Sequence, residues 1–288
     1  MSARPFRFAV SARGQGDTLE GLKAFARKAE DLGYDVLMLP DHLYQQLSPL
    51  HVLVAAAQAT TRLRFGTLTL ANDFRHPAML AKECATVDVL TGGRFELGLG
   101  TGSQPADNEQ AGLPLDPPGV KVERLEETLR ILKSFFSGET VQQRGKHYQI
   151  SGLQGYPRPV QRPHPPLLLG ASGPRMLRLA AREADIISIM PGPPDRPVSS
   201  MAEKRDIIRH AAGDRWQNIE LNTLAMRVQV DGQPQLPDAG PALPGGYVGS
   251  RDAVVEQLLR QREETDVSYV AIIGAAIDAF APVVAKLK

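Results

Sequence analysis

The chain has 288 residues, of which 42% are hydrophobic and 23% charged, a globular composition that excludes a disordered, collagen-like or coiled-coil protein. Lysine and arginine number 33 against 32 aspartates and glutamates, a net charge of +1 with no long basic run, which argues against sequence-independent nucleic-acid binding. One cysteine, Cys84, can make neither an internal disulfide nor a thiolate metal cage.

Met1–Ala12 carries Arg4 and Arg7 and no apolar stretch of signal-peptide length. No window reaches about eighteen consecutive apolar residues, so no membrane span and a cytoplasmic location are expected. Phe6–Val10 predicts a first strand. Thr18–Leu32 sets Leu19, Leu22, Phe25, Ala26, Ala29 and Leu32 at helical spacing, and Gly33 follows where a helix needs a left-handed cap. Val36–Leu39 reads as a buried strand and Leu50–Thr60 as an Ala-rich helix opened by Pro49. Arg64–Leu70 is the third strand, Pro77–Leu90 the third helix, Arg94–Leu99 the fourth strand and Val122–Phe136 the fourth helix. Val141–Ile150 reads as a hairpin turning at Arg144-Gly145-Lys146, and 151–166 as irregular. Further strands are expected at Leu167–Leu169, Ile186–Met190, Ile219–Val230 and Ser268–Ile273. The intervening helices fall at Pro174–Glu183, Met201–Ala211, Arg251–Arg262 (capped by Ser250) and Ala276–Lys286.

Eight strands, each followed by a helix, imply parallel βαβ units and, at this length, a closed (β/α)8 TIM barrel forming one domain over residues 1–288. A doubly wound open sheet is the alternative. It would carry a Gly-rich fingerprint after the first strand, where only a loose Gly14-Gln15-Gly16 stands. The long stretches 101–119, 191–200 and 231–249 follow strands, so a barrel puts them on its C-terminal face, where active sites are built.

Candidate chemistry falls at the same ends. Asp41-His42 terminates the second strand: an imidazole there can exchange a proton near neutral pH, and the pair can equally cap the next helix. Asn72-Asp73 is a turn signal, and His76 before Pro77 reads as a helix-end tie. Gly98-Leu99-Gly100-Thr101-Gly102 and Gly170-Ala171-Ser172-Gly173-Pro174 are Gly-rich turns whose backbone N–H groups can cradle an anion. The histidines are scattered without ligand spacing, so no metal is expected. No Gly-x-Ser-x-Gly elbow is present, and Cys84 reads as a small core residue.

Several of these segments resemble the bacterial luciferase-like superfamily: Pro40-Asp41-His42, Arg75-His76-Pro77-Ala78, Leu80-Ala81-Lys82-Glu83, Ala85 to Phe95, Leu97 to Gly102, Arg158-Pro159-Val160-Gln161, Pro165 to Gly170 and Arg175 to Asp185. The resemblance implies a (β/α)8 barrel, usually a homodimer joined through its early helices. It places the chain in the branch that uses the deazaflavin coenzyme F420 to move a hydride to or from a small organic substrate, with no nucleic-acid or membrane partner. A reduced-FMN two-component monooxygenase is the alternative, and a non-catalytic flavin-binding protein a further one. Carried onto this sequence, the resemblance implies that Asp41 meets the edge of the deazaflavin ring and His42 supplies or removes the matching proton, with Tyr44 next in line. It seats the ring on a bulge whose cis peptide would join Leu68 and Thr69. The cofactor phosphate then falls to Thr101 and Gly102 and to Gly170, Ala171, Ser172 and Gly173. Two departures stand out. Ser103 occupies the place of an acidic residue in the sugar-phosphate dehydrogenases of this branch, and their phosphate-binding lysines have no counterpart in 191–200 or 231–249, which makes glucose 6-phosphate an unexpected substrate. The Pro- and Gly-rich 231–249 reads as a mobile lid over a neutral or apolar substrate.

Overall fold

A computed structural model describes residues 4–44, 46–102, 104–193, 198–232 and 246–288. Strand β1 (Arg7–Ser11) is followed by helix α1 (Leu19–Asp31), β2 (Val36–Leu39), α2 (Pro49–Ala57), β3 (Arg64–Thr67) and β4 (Leu70–Ala71). Next come α3 (Pro77–Leu90), β5 (Phe95–Gly100), α4 (Pro105–Gln110), α5 (Pro118–Ser137) and a hairpin of β6 (Thr140–Arg144) and β7 (Gln149–Gln154). The alternation continues through β8 (Leu167–Gly170), α6 (Pro174–Glu183), β9 (Ile186–Ser188), α7 (Met201–Ala212), β10 (Glu220–Ala225) and β11 (Arg227–Val230). It ends with β12 (Gly246–Gly249), α8 (Arg251–Thr265), β13 (Val267–Ile273) and α9 (Ile277–Leu287).

The strands pair in the order β3-β2-β1-β13-β10-β9-β8-β5, and a further β3–β5 pairing closes the ring. Strand β4 pairs with β5 beyond β3, so β3 and β4 are two pieces of one stave of an eight-staved parallel (β/α)8 barrel. The helix starts follow from the sequence. Thr18 accepts a hydrogen bond from the Gly21 amide, Ser200 and Glu203 form a reciprocal capping box, and Ser250 accepts from the Ala253 amide. Gly33, at φ +82°, adopts the left-handed conformation that ends α1.

Four expectations need correction. The third stave is not one strand over Arg64–Leu70 but breaks at Leu68–Thr69. The run Ile219–Val230 is likewise two strands, because β11 leaves the barrel to pair in parallel with β12 outside it. The stretch 101–119 contains α4 and the start of α5, and β7 runs four residues into 151–166, to Gln154. Ser103, residues 194–197 and residues 233–245 of the expected lid lie outside the described residues.

Alternation along the staves sorts the core into two parts. Outward residues pack beneath the helices, while Ala9, Val36, Met38, Leu168, Ile186, Tyr269 and Ala271 fill the lumen, with Leu68 and Leu224 against them. Below this cluster, at the N-terminal end, the lumen is closed by charge. Glu96 is buried and pairs with both Arg7 and Arg64, the latter at 2.7 Å. Arg7 also pairs with Glu220 at 2.6 Å and lies 4.3 Å above the Tyr269 ring, whose hydroxyl donates to Glu96 at 3.2 Å. Two arginines thus face two carboxylates, and Glu96 is the shared centre. Glu96→Gln keeps the shape but leaves two guanidinium groups short of charge. It is expected to lower unfolding free energy by about 3 kcal/mol, read from urea denaturation; a loss below about 1 kcal/mol would mean the plug contributes only as a solvated surface pair does.

Candidate active site

The residues singled out in the sequence all lie at C-terminal strand ends. Asp41 and His42 follow β2, Leu68 and Thr69 separate β3 from β4, Thr101 and Gly102 follow β5, and Gly170–Gly173 lead from β8 into α6. Side-chain alternation shapes the mouth between them. The last inward positions of β1, β5, β8 and β9 are Ser11, Gly100, Gly170 and Ser188, so four of the eight staves end in a small residue. A shallow well results, floored by Leu68 and Leu224.

The broken stave sets the rim of this well. The Leu68–Thr69 peptide is cis, at the bond the family resemblance names. Before the break, the Thr67 hydroxyl donates to the Gly98 carbonyl at 2.8 Å and accepts from the Gly98 amide at 2.9 Å. A Cβ on Gly98 would stand 1.8 Å from the Thr67 carbonyl oxygen, so only glycine allows this approach. After the break, Thr69 leans across the mouth. A Cβ on Gly100 would lie 2.6 Å from its hydroxyl, and one on Gly170 would lie 3.5 Å from its methyl. The glycines of β5 and β8 are the space into which the bulge fits.

Asp41 braces the far side of the break. Its buried carboxylate accepts from the Ala71 amide at 3.1 Å and from Arg75 at 2.5 and 3.2 Å. These use three of the roughly four lone-pair positions of a carboxylate, so one remains for a ligand. Burial pulls the Arg75 pKa down, but its hydrogen bond to Asp41, the Asp41 charge and Glu83 behind it more than offset this and raise it. Arg75 therefore stays charged against Asp41.

His42 points to the opposite partner. Its Nδ1 lies 2.9 Å from Oδ2 of Asp107, and the other Asp107 oxygen accepts from the Leu43 amide at 3.2 Å. Asp107 is buried at the third position of α4, and the Tyr44 ring lies 5.8 Å from the imidazole. Neither α4 nor Asp107 was read from the sequence. A signal existed: Pro105 suits a first helical position and Asp107 its first turn, directly after the Gly-rich loop.

The two anion cradles differ. Gly102 is left-handed at φ +78°, and Lys121, itself 3.9 Å from Asp73, donates to the Gly102 carbonyl at 3.4 Å. In the second loop the Ala171 amide is used by the Ser188 carbonyl at 2.9 Å. Gly173 is the N-cap of α6 and offers no side-chain cap, so the amides that follow face the mouth without one. His76 has the tying role expected of it: its Nδ1 accepts from the Ala78 amide at 3.3 Å. Among the described residues no group of three or more His, Cys, Asp or Glu is placed to hold a metal ion, and no helix is long and apolar enough to cross a membrane.

Residues 3–230 match the family described as luciferase-like monooxygenase. Among curated proteins, the F420-dependent glucose-6-phosphate dehydrogenase of Microbacterium testaceum is 33% identical over 189 residues, 63% of this chain and 55% of that protein. The chain thus spans about half the length of this relative. Among solved structures, the coenzyme F420 dependent tetrahydromethanopterin reductase of Methanopyrus kandleri superposes with a TM-score of 0.83 at 20% identity, over 99% of this chain and 100% of that one. A monooxygenase of Streptomyces bottropensis superposes at 0.79 and 19% identity, over 97% and 99%. At these identities the structures share the fold.

The bracing of the bulge can be tested directly. In Arg75→Met the Asp41 carboxylate keeps a single amide donor, and the Ala71 amide is expected to exchange with deuterium at least about tenfold faster. Unchanged protection at Ala71 would show that the Asp41–Arg75 pair does not hold β4 in place.

Proposed function

Because the chain belongs to the luciferase-like monooxygenase family, we propose that it is one of the family's coenzyme F420-dependent oxidoreductases, moving a hydride between the deazaflavin and a small organic substrate. The observation that carries the reading is the mouth itself: a shallow well floored by Leu68 and Leu224 at the Leu68–Thr69 bulge, with the His42 imidazole at the neighbouring strand end. The F420-dependent relative supports it. The cradle fits a planar ring, since Gly100 and Gly170 keep Cβ atoms out of the space that Thr69 and a ring must share.

When bound, the deazaflavin supplies two-electron hydride chemistry. The chain supplies the rest. Leu68 and Thr69 support the ring. Asp41, fixed by Arg75 and the Ala71 amide, offers its remaining lone pair at the ring edge. Thr101-Gly102 and the loop Gly170-Ala171-Ser172-Gly173 hold the anionic tail through backbone amides other than that of Ala171, which the Ser188 carbonyl takes, helped by the dipole of α6. His42 gives or takes the proton that accompanies the hydride. Loops 191–200 and 231–249 contain no lysine and one arginine, Arg196, too few cations for the phosphate site of a sugar-phosphate dehydrogenase, which favours a neutral substrate over glucose 6-phosphate. Residues 1–288 act as one domain. The exposed apolar side chains Met79, Val89 and Leu90 on α3 support pairing of two copies through the early helices.

Anaerobic calorimetry with coenzyme F420 and with reduced FMN decides the cofactor. F420 is expected to bind at least about tenfold more tightly, a difference of about 1.4 kcal/mol; tighter binding of FMN would make the chain a monooxygenase component instead. In turnover with F420, His42→Ala should lower kcat at least about tenfold while cofactor affinity changes little. A collapse of affinity with a normal rate on saturated enzyme would make His42 an anchor and Tyr44 the next acid to test.

A further inference from the structure

The contact between His42 and Asp107 reaches further than placing an imidazole at the mouth. An ionised carboxylate only accepts hydrogen bonds. One Asp107 oxygen already takes the Leu43 amide, which can only donate, and the other lies 2.9 Å from Nδ1 of His42. The proton of that second bond must therefore sit on Nδ1. Neutral His42 is then the Nδ1–H tautomer, with the lone pair on Nε2, and charged His42 exposes its exchangeable proton at Nε2 as well.

Among the described residues no other hydrogen-bond partner of the imidazole competes for this choice. Tyr44, from the same loop, stands at 5.8 Å between ring centroids, and the Asp41 carboxylate is turned to Arg75 and the Ala71 amide. Asp107 itself is nearly inaccessible, with 3% of its side chain exposed, against 14% for His42. The carboxylate is buried, and the imidazole beside it is half-buried at the C-terminal end of β2, on the side of the barrel where the mouth lies. Because α4 follows β5, the strand that also carries Gly98 and Gly100, the helix that holds Asp107 is anchored to the same stave as the glycine cradle.

We propose that Asp107 is the positioning residue of this site: it locks His42 as the Nδ1–H tautomer and makes Nε2 the atom through which the proton passes. The proposal rests on the F420 reading for the reaction it serves. In the reducing direction, a substrate double bond gains the hydride at one atom. The electron pair displaced onto the other atom takes the proton from Nε2, and the Nε2–H bond breaks to leave neutral imidazole, which solvent reprotonates. In the oxidising direction the Nε2 lone pair accepts that proton instead.

The test begins with the cofactor-free protein and needs no substrate. Nitrogen-15 spectra, with the His42 signals assigned by their loss in His42→Ala, are expected to show a protonated Nδ1 and an unprotonated Nε2 at alkaline pH. In Asp107→Asn the amide oxygen can keep the Leu43 bond while its NH2 donates to Nδ1, so the tautomer is expected to flip to Nε2–H. Turnover with F420 should then fall by about a hundredfold or more, with cofactor KM changed less than about twofold. Asp107→Glu, which keeps an accepting carboxylate, should restore the Nδ1–H signal and part of the rate. A protonated Nε2 with an unprotonated Nδ1 in the wild-type protein at alkaline pH overturns the proposal alone, even if Asp107→Asn does not fold. So does a rate unchanged by a tautomer flip. If the tautomers behave as expected and no F420 turnover is found, the reading of the reaction fails and the lock on His42 stands.

Discussion

The structure turns on one interruption. The third stave of the barrel leaves the ladder for two residues, Leu68 and Thr69, and returns as β4. Everything around the mouth accommodates that step. Thr67 exchanges two hydrogen bonds with Gly98 before it, and Asp41 accepts the Ala71 amide after it. Gly98, Gly100 and Gly170 are bare where the bulge presses on the neighbouring staves. Arg75 keeps the Asp41 carboxylate compensated inside the fold. The constraint is local, but it links four consecutive staves of the sheet.

A division of labour follows. The lower lumen is closed by the Arg7, Arg64, Glu96, Glu220 and Tyr269 cluster. The middle is apolar. The Asp41-His42 pair and the Gly-rich turns lie at the upper rim, in loops held by rigid staves. The two members of the Asp41-His42 dipeptide serve different neighbours: one carboxylate faces the bulge, and one imidazole faces α4.

Much of this was legible in the sequence, for identifiable reasons. Apolar runs bounded by Pro, Gly and Ser located the staves and most helices, and Pro174–Glu183 and Pro77–Leu90 fall where their N-terminal prolines and spacing put them. Periodicity could not show the break at Leu68–Thr69, because Arg64–Leu70 reads as one continuous strand; only the family resemblance located it. Nor could it separate β10 from β11, since the sequence keeps a strand-like pattern on both sides of Met226, where the chain bends out of the barrel. Helix α4 is six residues of polar sequence without an apolar face, so its periodic signal is nil and Asp107 was hidden with it. The partners of Asp41 and His42 are contacts between residues thirty or more positions apart, which local pattern does not encode.

The most direct test of the central claim is a crystal structure of the protein soaked with coenzyme F420 under reducing conditions. The account predicts the ring seated on the Leu68–Thr69 bulge above Leu68 and Leu224, its hydride-carrying carbon on the side of His42 Nε2, and its phosphate at the start of α6. A ring bound elsewhere, or one whose reactive carbon faces away from His42, would contradict it.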